Sequence, residues 1–286
     1  MTTGPGDTPS GRPGIARALA LSCHPVPTLA VTAISAGLAA LAGLSFGRAA
    51  LLVAAVFAGQ LSIGWSNDAI DAARDRATDR SDKPVASEAV SSRVVGVAAG
   101  VALVLAVVLS LAMGWQPGLA ALTVVACGWL YNVGLKGTAL SFVPYAIAFG
   151  ALPAVATLAL PVPAWPASWA MIAGALFGVS AHLANVLPDL DDDIDTGVRG
   201  LPHRLGARAT AVACPVLLGA ASLVILFGTA GPDGWQWAAA AGLLVLAGAG
   251  VIAGLRRPTS RALFVIVIAA ALIAVVLFAG SGQSLT

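Results

Sequence analysis

Nine stretches of about twenty residues, approximately 27–46, 49–66, 94–113, 117–133, 139–160, 167–187, 209–229, 235–254 and 261–281, contain almost no ionisable side chain. Runs of that length match the roughly 30 Å hydrocarbon core of a bilayer at about 1.5 Å per helical residue. In lipid every backbone N–H and C=O must be satisfied within the protein, so such runs fold as helices. The chain therefore reads as an all-α integral membrane protein with nine transmembrane helices. Composition agrees, since 58% of the 286 residues are hydrophobic and 10% charged, against about 25% charged in soluble proteins. Mean hydropathy is +0.91.

With the N-terminus cytoplasmic, fourteen of the fifteen Lys and Arg residues fall on one side and only Arg48 falls opposite, a split that sets orientation. The expectation is a multi-pass protein of the cell membrane with its C-terminus outside. Residues 1–20, rich in Gly, Pro and Thr, read as a disordered cytoplasmic tail without a cleaved signal peptide, and 21–286 as one membrane domain. Cys23, Cys127 and Cys214 have no paired spacing, which argues against disulfides and zinc. A net charge of +2 on dispersed basic residues gives no reason to expect nucleic acid. Oligomeric state is not legible.

Eleven of the thirteen acidic residues fall in two clusters, Asp68, Asp71, Asp75, Asp79, Asp82 and Glu88, then Asp189, Asp191, Asp192, Asp193 and Asp195. The clusters share a frame: Asn67, Asp71 and Asp75 match Asn185, Asp189 and Asp193 at an offset of 118, and Pro84 and Pro202 keep the register. The offset spans four expected helices, so both copies run in the same direction. A parallel internal pseudo-repeat around a central cavity follows, an arrangement that transporters also use. On helices continuing out of spans two and six, each triad at i, i+4 and i+8 lies along one face, with Gly197 as terminator of the second. Facing carboxylates repel, and hard oxygen ligands with open positions suit Mg²⁺ bound together with substrate phosphates. A diphosphate substrate is implied. The second cluster has Ile194 and Gly200 where a calcium-binding EF-hand loop needs Gly and Glu, so it is not read as one.

The run Asn67-Asp68-Ala69-Ile70-Asp71-Ala72-Ala73-Arg74-Asp75, followed by Lys83-Pro84-Val85-Ala86-Ser87, resembles the first signature of the UbiA superfamily of intramembrane prenyltransferases, NDxxDxxxD and an RPxxSG-like segment. Asp189 to Asp193, Gly197 and Leu201-Pro202-His203-Arg204-Leu205-Gly206 look like the second signature, and Tyr131-Asn132-Val133-Gly134-Leu135-Lys136 is similar to the YxxxLK motif. The resemblance implies Mg²⁺ and an isoprenoid diphosphate held by Asn67, Asp71, Asp75, Asp189 and Asp193, with Asn67, Asp68, Lys83, Tyr131, Lys136 and Arg204 toward the diphosphate. Lys83 stands in place of the usual Arg of the trailing segment, Glu88 in place of its Gly, and Gly137 where hydroxybenzoate enzymes often carry Arg. The last change disfavours a carboxylate acceptor, because guanidinium is the preferred carboxylate clamp.

The chemistry implied is ionisation of an allylic diphosphate assisted by Mg²⁺ and Lys136, followed by attack of an aromatic or lipid-soluble acceptor, with Asp75 or Asp193 as proton acceptor. Asp71, Asp75, Asp189, Asp193 and Lys136 are the expected catalytic set. Phe142, Tyr145, Phe149, Trp129 and His182 are candidates for the acceptor or cation region, with plain packing as the competing reading. Ser22 and His24-Pro25 either close the cytoplasmic mouth or form a membrane-entry turn, His203 reads as a loop residue, and Asn132 as a cross-helix hydrogen bonder. Two alternatives stay open: a terpene cyclase of the same superfamily, and a secondary transporter. Transporters usually carry ionisable groups near the midplane, whereas these gather at the cytoplasmic ends of spans two and six.

Overall fold

The computed structural model describes residues 14–78, 83–195, 197–229, 231–280 and 285–286. Asp79, Asp82 and the tail up to residue 13 lie outside the described residues, as do the side chains of Asp191, Asp192 and Asp195. Among the described residues the regular structure is entirely helical: α1 (Ile15–Ser22), α2 (Pro25–Leu41), α3 (Phe46–Ala77), α4 (Ser92–Ala112), α5 (Trp115–Val133), α6 (Val143–Leu158), α7 (Ser168–Val186), α8 (Leu190–Asp195), α9 (Leu201–Leu205), α10 (Ala207–Gly228), α11 (Gly234–Arg256) and α12 (Ala262–Gly280). Consecutive long helices pack against one another, and α12 returns to pack on α2 and α7.

A helix stands at each of the nine expected spans, yet among the described residues five are long and apolar enough to cross a bilayer, or six if α1 and α2, bent by 63°, form one span. α6 and the apolar part of α12 are shorter. The greatest departure is α3, whose 32 residues make a rod of about 48 Å at 1.5 Å per residue. A bilayer core of about 30 Å absorbs little more than half of it, so the end carrying the first acidic segment overhangs into the interface.

The lateral surface suits lipid. On α4, Val97, Val101, Val104 and Val108 are exposed while Val95, Ala99, Ala102 and Ala106 on the opposite face are buried, the two-faced pattern of a helix between lipid and a protein neighbour. Trp115, Trp165, Trp235 and Trp237 are exposed at helix ends remote from the acidic segments, where amphipathic rings favour the membrane interface. At that same end Arg48 donates from Nη1 to Ala159 O at 2.6 Å, satisfying a terminal carbonyl of α6.

Two close approaches position the site. A Cβ at Gly174 would lie 2.5 Å from Phe149 O, and one at Gly178 would strike Tyr145 O, so α7 lies backbone-to-backbone against α6. A Cβ at Gly64 would strike Cys23 O, which lets the α1–α2 break rest on α3. The tail expectation is corrected at its end, because Ile15–Ser22 is helical. Ala18 and Ser22 are buried on its inner face, and Leu19 O accepts the indole N–H of Trp65 at 2.9 Å.

Candidate active site

On the overhang of α3, Asp68, Asp71 and Asp75 are only 2%, 5% and 4% exposed. Carboxylates buried that deeply need charged partners, and each has them. Asp68 Oδ1 lies 3.0 Å from His24 Nε2 and 3.6 Å from Lys83 Nζ. Asp71 accepts from Arg74 Nη2 at 2.8 Å and from Lys136 Nζ. Lys83 Nζ also donates to Asp75 Oδ2 at 2.8 Å, clasping two carboxylates that lie two turns apart on one helical face. Burial pulls the Lys136 ammonium below the ordinary lysine range, opposed by the adjacent Asp71 carboxylate. His24 sits in the left-handed region at φ 55° at the α1–α2 break, so His24-Pro25 is both a turn and a wall of the mouth, whereas Ser22 is buried and does not line it.

Asn67 is aimed by α5. Asn132 donates from Nδ2 to Ile63 O and to Ser66 Oγ, both at 2.9 Å, and its Oδ1 accepts from Asn67 Nδ2 at 3.1 Å. This makes Asn132 the cross-helix bonder expected of it, and the bond engages the Asn67 amide nitrogen rather than its carbonyl oxygen. One residue earlier, Tyr131 packs edge-on against both Tyr145 and His182, with ring centroids 5.2 and 5.6 Å away. Beyond α5 the 3₁₀ turn Leu135–Gly137 carries Lys136. Ser141 Oγ accepts the N–H of Leu201 at 2.9 Å and meets His182 Nε2 at 3.0 Å, tying the Lys136 loop to the loop that follows the second acidic segment. A Cβ at Gly200 would sit 2.9 Å from that hydroxyl, so only glycine lets these loops close up.

The second segment departs from the expected continuous helix. Pro188 has no N–H to continue the ladder, and Leu187–Asp189 becomes a 3₁₀ turn between α7 and α8. Gly197 then ends α8 as expected, at φ 82°, with Gly197 N bonded to Ile194 O at 3.1 Å and Val198 N to Asp193 O at 2.9 Å, the hydrogen-bond pair of a Schellman stop.

Both segments meet in one cavity of about 500 Å³, lined by Asn67, Asp68, Asp71 and Asp75 from one side and Asn185, Asp189 and Asp193 from the other. Lys83, Tyr131, Lys136, His182, Arg74, His203 and Arg261 complete its walls. Arg204, expected toward the diphosphate, is not among the lining residues: it is exposed and its Nε donates to Arg199 O at 3.3 Å. Successive residues of a helix point about 100° apart, and α9 presents His203 inward, 3.4 Å from Asp193 Oδ2, which turns Arg204 out. His203 is thus more than a loop residue. Arg261, at the start of α12, was not anticipated; it carries no motif, and only its place among the cytoplasmic basic residues hinted at it.

The charged cavity shares His24, Pro27, Asn67, Tyr131, Asn185 and Phe264 with a deeper chamber of about 190 Å³. Val31, Ile34, Ala148, Leu152 and Phe177 are among its apolar walls, together with Tyr145 and Phe149. Trp129 and Phe142 line neither. Trp129 points a half-turn away from Tyr131 and donates from Nε1 to Ser62 Oγ at 3.0 Å, which is packing. A polyvalent anion with a long apolar tail fits this pair of spaces: cations and ligand oxygens at one end, hydrocarbon at the other.

Solved structures share the fold. The chain is 15% identical to a UbiA homolog from Archaeoglobus fulgidus bound to GPP and Mg²⁺, covering 93% of this chain and 98% of that one with a TM-score of 0.73. It is 18% identical to a UbiA homolog from Aeropyrum pernix K1 solved in its apo form, over 90% and 96% of the two chains, also at 0.73. A digeranylgeranylglyceryl phosphate synthase is 17% identical over 93% and 98%, at 0.66. No curated protein matches the chain. A family-level match to the UbiA prenyltransferase family runs over residues 28–267, most of the sequence and both acidic segments, and the chain belongs to that family.

Proposed function

We propose that this protein transfers a prenyl group from an isoprenoid diphosphate to an aromatic or lipid-soluble acceptor within the membrane, in a Mg²⁺-dependent reaction. The observation that carries the reading is the pair of opposed Asn-Asp-Asp faces at the mouth of an apolar chamber. Among the described residues no three His, Cys, Asp or Glu side chains converge into a ready-made metal cage. That suits Mg²⁺, which takes a few carboxylates and completes its shell with phosphates and waters. Asn67, Asp71, Asp75, Asp189 and Asp193 are the residues that would hold it, and the Archaeoglobus homolog with GPP and Mg²⁺ makes the pairing reasonable. Bound there, Mg²⁺ supplies neutralisation of the diphosphate and of the charge developing on its bridging oxygen.

The chain's own groups do the rest. Lys136 and Lys83 pair with Asp71 and Asp75 and stand ready to turn toward diphosphate oxygens, with Arg74 and Arg261 on the same wall in the role first expected of Arg204. Asp68 with His24 sets the angle of the mouth. The faces of Tyr131, Tyr145 and Phe149 shelter the allylic cation as its C–O bond breaks. Attack by the acceptor forms the new bond to the cation, and its displaced proton passes to Asp75 or Asp193. The acidic mouth faces the cytoplasm in this reading, with nine spans arranged as a parallel repeat of α2–α5 and α6, α7, α10 and α11.

The experiment is diphosphate release by the purified protein from a panel of allylic diphosphates, with and without Mg²⁺, for wild type, Asp71→Asn and Asp189→Asn, with products weighed by mass spectrometry. Metal-dependent release abolished by both substitutions supports the proposal. A product isomeric with the prenyl chain less diphosphate would turn the reading to cyclisation, and absence of turnover with any donor and acceptor would sink it.

A further inference from the structure

The apolar chamber does not end the cavity system. A third space of about 80 Å³ lies beyond it and shares five wall residues with it: Ile34, Phe149, Leu152, Phe177 and Ala271. These five form a throat. Past the throat, Leu38 and Leu41 of α2 and Trp169 of α7 line the last space, and Leu285 lines its far end. Leu285 is 4% exposed, and its carbonyl accepts the N–H of Ala167 at 2.7 Å, so it is anchored ahead of the first turn of α7.

The helix α2 runs past all three spaces and serves as a ruler. Pro27 lines both the charged cavity and the chamber, Ile34 lines both the chamber and the last space, and Leu41 lines only the last. Seven residues separate each mark from the next, about 10 Å at 1.5 Å per residue. An isoprene unit advances four chain bonds of about 1.5 Å, roughly 5 Å once the zigzag is projected. The throat therefore stands about two units from the charged mouth and the floor about four. The helix α7 gives a comparable spacing, since Asn185, Phe177 and Trp169 succeed one another every eight residues, about 12 Å, along the same three spaces.

Resting on the reading proposed above, we infer that the donor is an isoprenoid diphosphate of up to four units, twenty carbons, whose tail passes the Ile34–Phe149–Phe177 throat and stops against Leu41, Trp169 and Leu285. The tail lies inside the bundle because the last space abuts the chamber, the chamber abuts the charged mouth, and the walls of the last space are apolar. A longer tail has to displace Leu285 or leave the bundle sideways.

The test is kcat/KM for diphosphates of ten, fifteen, twenty and forty-five carbons, using the full-length protein in lipid nanodiscs. Wild type is expected to use ten to twenty carbons and to lose at least ten-fold at forty-five. Ala274→Phe, which fills the last space, is expected to keep the ten-carbon donor and lose at least ten-fold on twenty. Leu285→Gly is expected to recover forty-five carbons and leave ten unchanged. The ten-carbon rate is the internal control for folding and for the underlying reaction: if it is absent in wild type, the proposed function fails and the length rule with it. If it is present but forty-five carbons are used as well as twenty, or Ala274→Phe leaves twenty untouched, the length rule alone is overturned and the tail exits into the bilayer.

Discussion

The two acidic segments match in sequence at an offset of 118 residues and differ in structure. The first rides an unbroken helix, and its three inner carboxylates are buried and pinned by His24, Arg74, Lys83 and Lys136. The second tightens to a 3₁₀ turn at Leu187–Asp189, and the Asp193 side chain is 22% exposed where that of Asp75, its counterpart, is 6%. One half of the mouth is thus a rigid wall with its cations built in, and the other a jointed segment closed off at Gly197 and tied to the Lys136 loop through Ser141. The difference teaches that a repeat fixes which atoms are offered, whereas single residues such as Pro188 fix how stiffly. In the proposed reaction the rigid half sets the diphosphate position and the jointed half adapts as substrate enters.

The largest effects should fall on both halves alike. Asp71→Asn and Asp189→Asn are each expected to lower kcat by roughly 10²–10³, the loss typical of removing one electrostatic group from a reacting site. Mg²⁺ titration of the rate provides the finer reading. If only the Asp71 variant loses activity, the second segment is scenery and the two-sided site is wrong. Lys136→Met should come next, with activity down about 100-fold. Removing one partner of a buried pair costs about 3–5 kcal/mol; Arg74 still serves Asp71, so the stability loss here is nearer 2 kcal/mol, read as a lower Tm in detergent. A variant with unchanged Tm and rate would show that the Lys136–Asp71 pair is idle.

Pro188→Ala sharpens the comparison directly, because it lets α7 run on through Asp189 and makes the second copy resemble the first. The Tm is expected to rise slightly, since an alanine restores a helical N–H, while kcat/KM falls about ten-fold as Asp189 and Asp193 rotate off the cavity wall. A faster enzyme would mean that the joint is not used. Asn132→Leu acts on the rigid half alone. It removes three hydrogen bonds that aim Asn67 and hold α5 to α3, and a several-fold rise in the Mg²⁺ concentration for half-maximal rate is expected. An unchanged metal requirement would take Asn67 out of the ligand set.

What the sequence disclosed follows from periodicity. Helix positions came from apolar runs, and the carboxylate faces from i, i+4 and i+8 spacing, because both depend only on the pitch of a helix. Span length was less legible: α3 overshoots the bilayer, and nothing in its apolar half announces where the overhang begins. The 3₁₀ turn at Pro188 is not legible in the spacing, because Asn185, Asp189 and Asp193 keep the same i, i+4 and i+8 pattern as Asn67, Asp71 and Asp75. Which cations face inward was least legible. Arg74 and Arg261 reach the cavity from outside the expected set, and Arg204 was placed there by its motif although α9 turns it to solvent. Such choices depend on a rotation of 100° per residue in a five-residue helix, which no charge pattern records.

The smallest effect belongs to that mistaken cation. Arg204→Ala should leave the rate within about two-fold, because an exposed guanidinium that donates to a neighbouring carbonyl contributes little through solvent. Arg261→Ala, one residue ahead of α12 and on the cavity wall, should weaken donor affinity several-fold with kcat nearly unchanged, the signature of a group that holds the diphosphate equally in ground and transition states. The two substitutions remove the same charge, so a difference between them cannot come from net charge. Should Arg204→Ala prove the more damaging, then α9 must rotate when substrate binds, and the jointed half of the mouth would extend from Pro188 through Leu205.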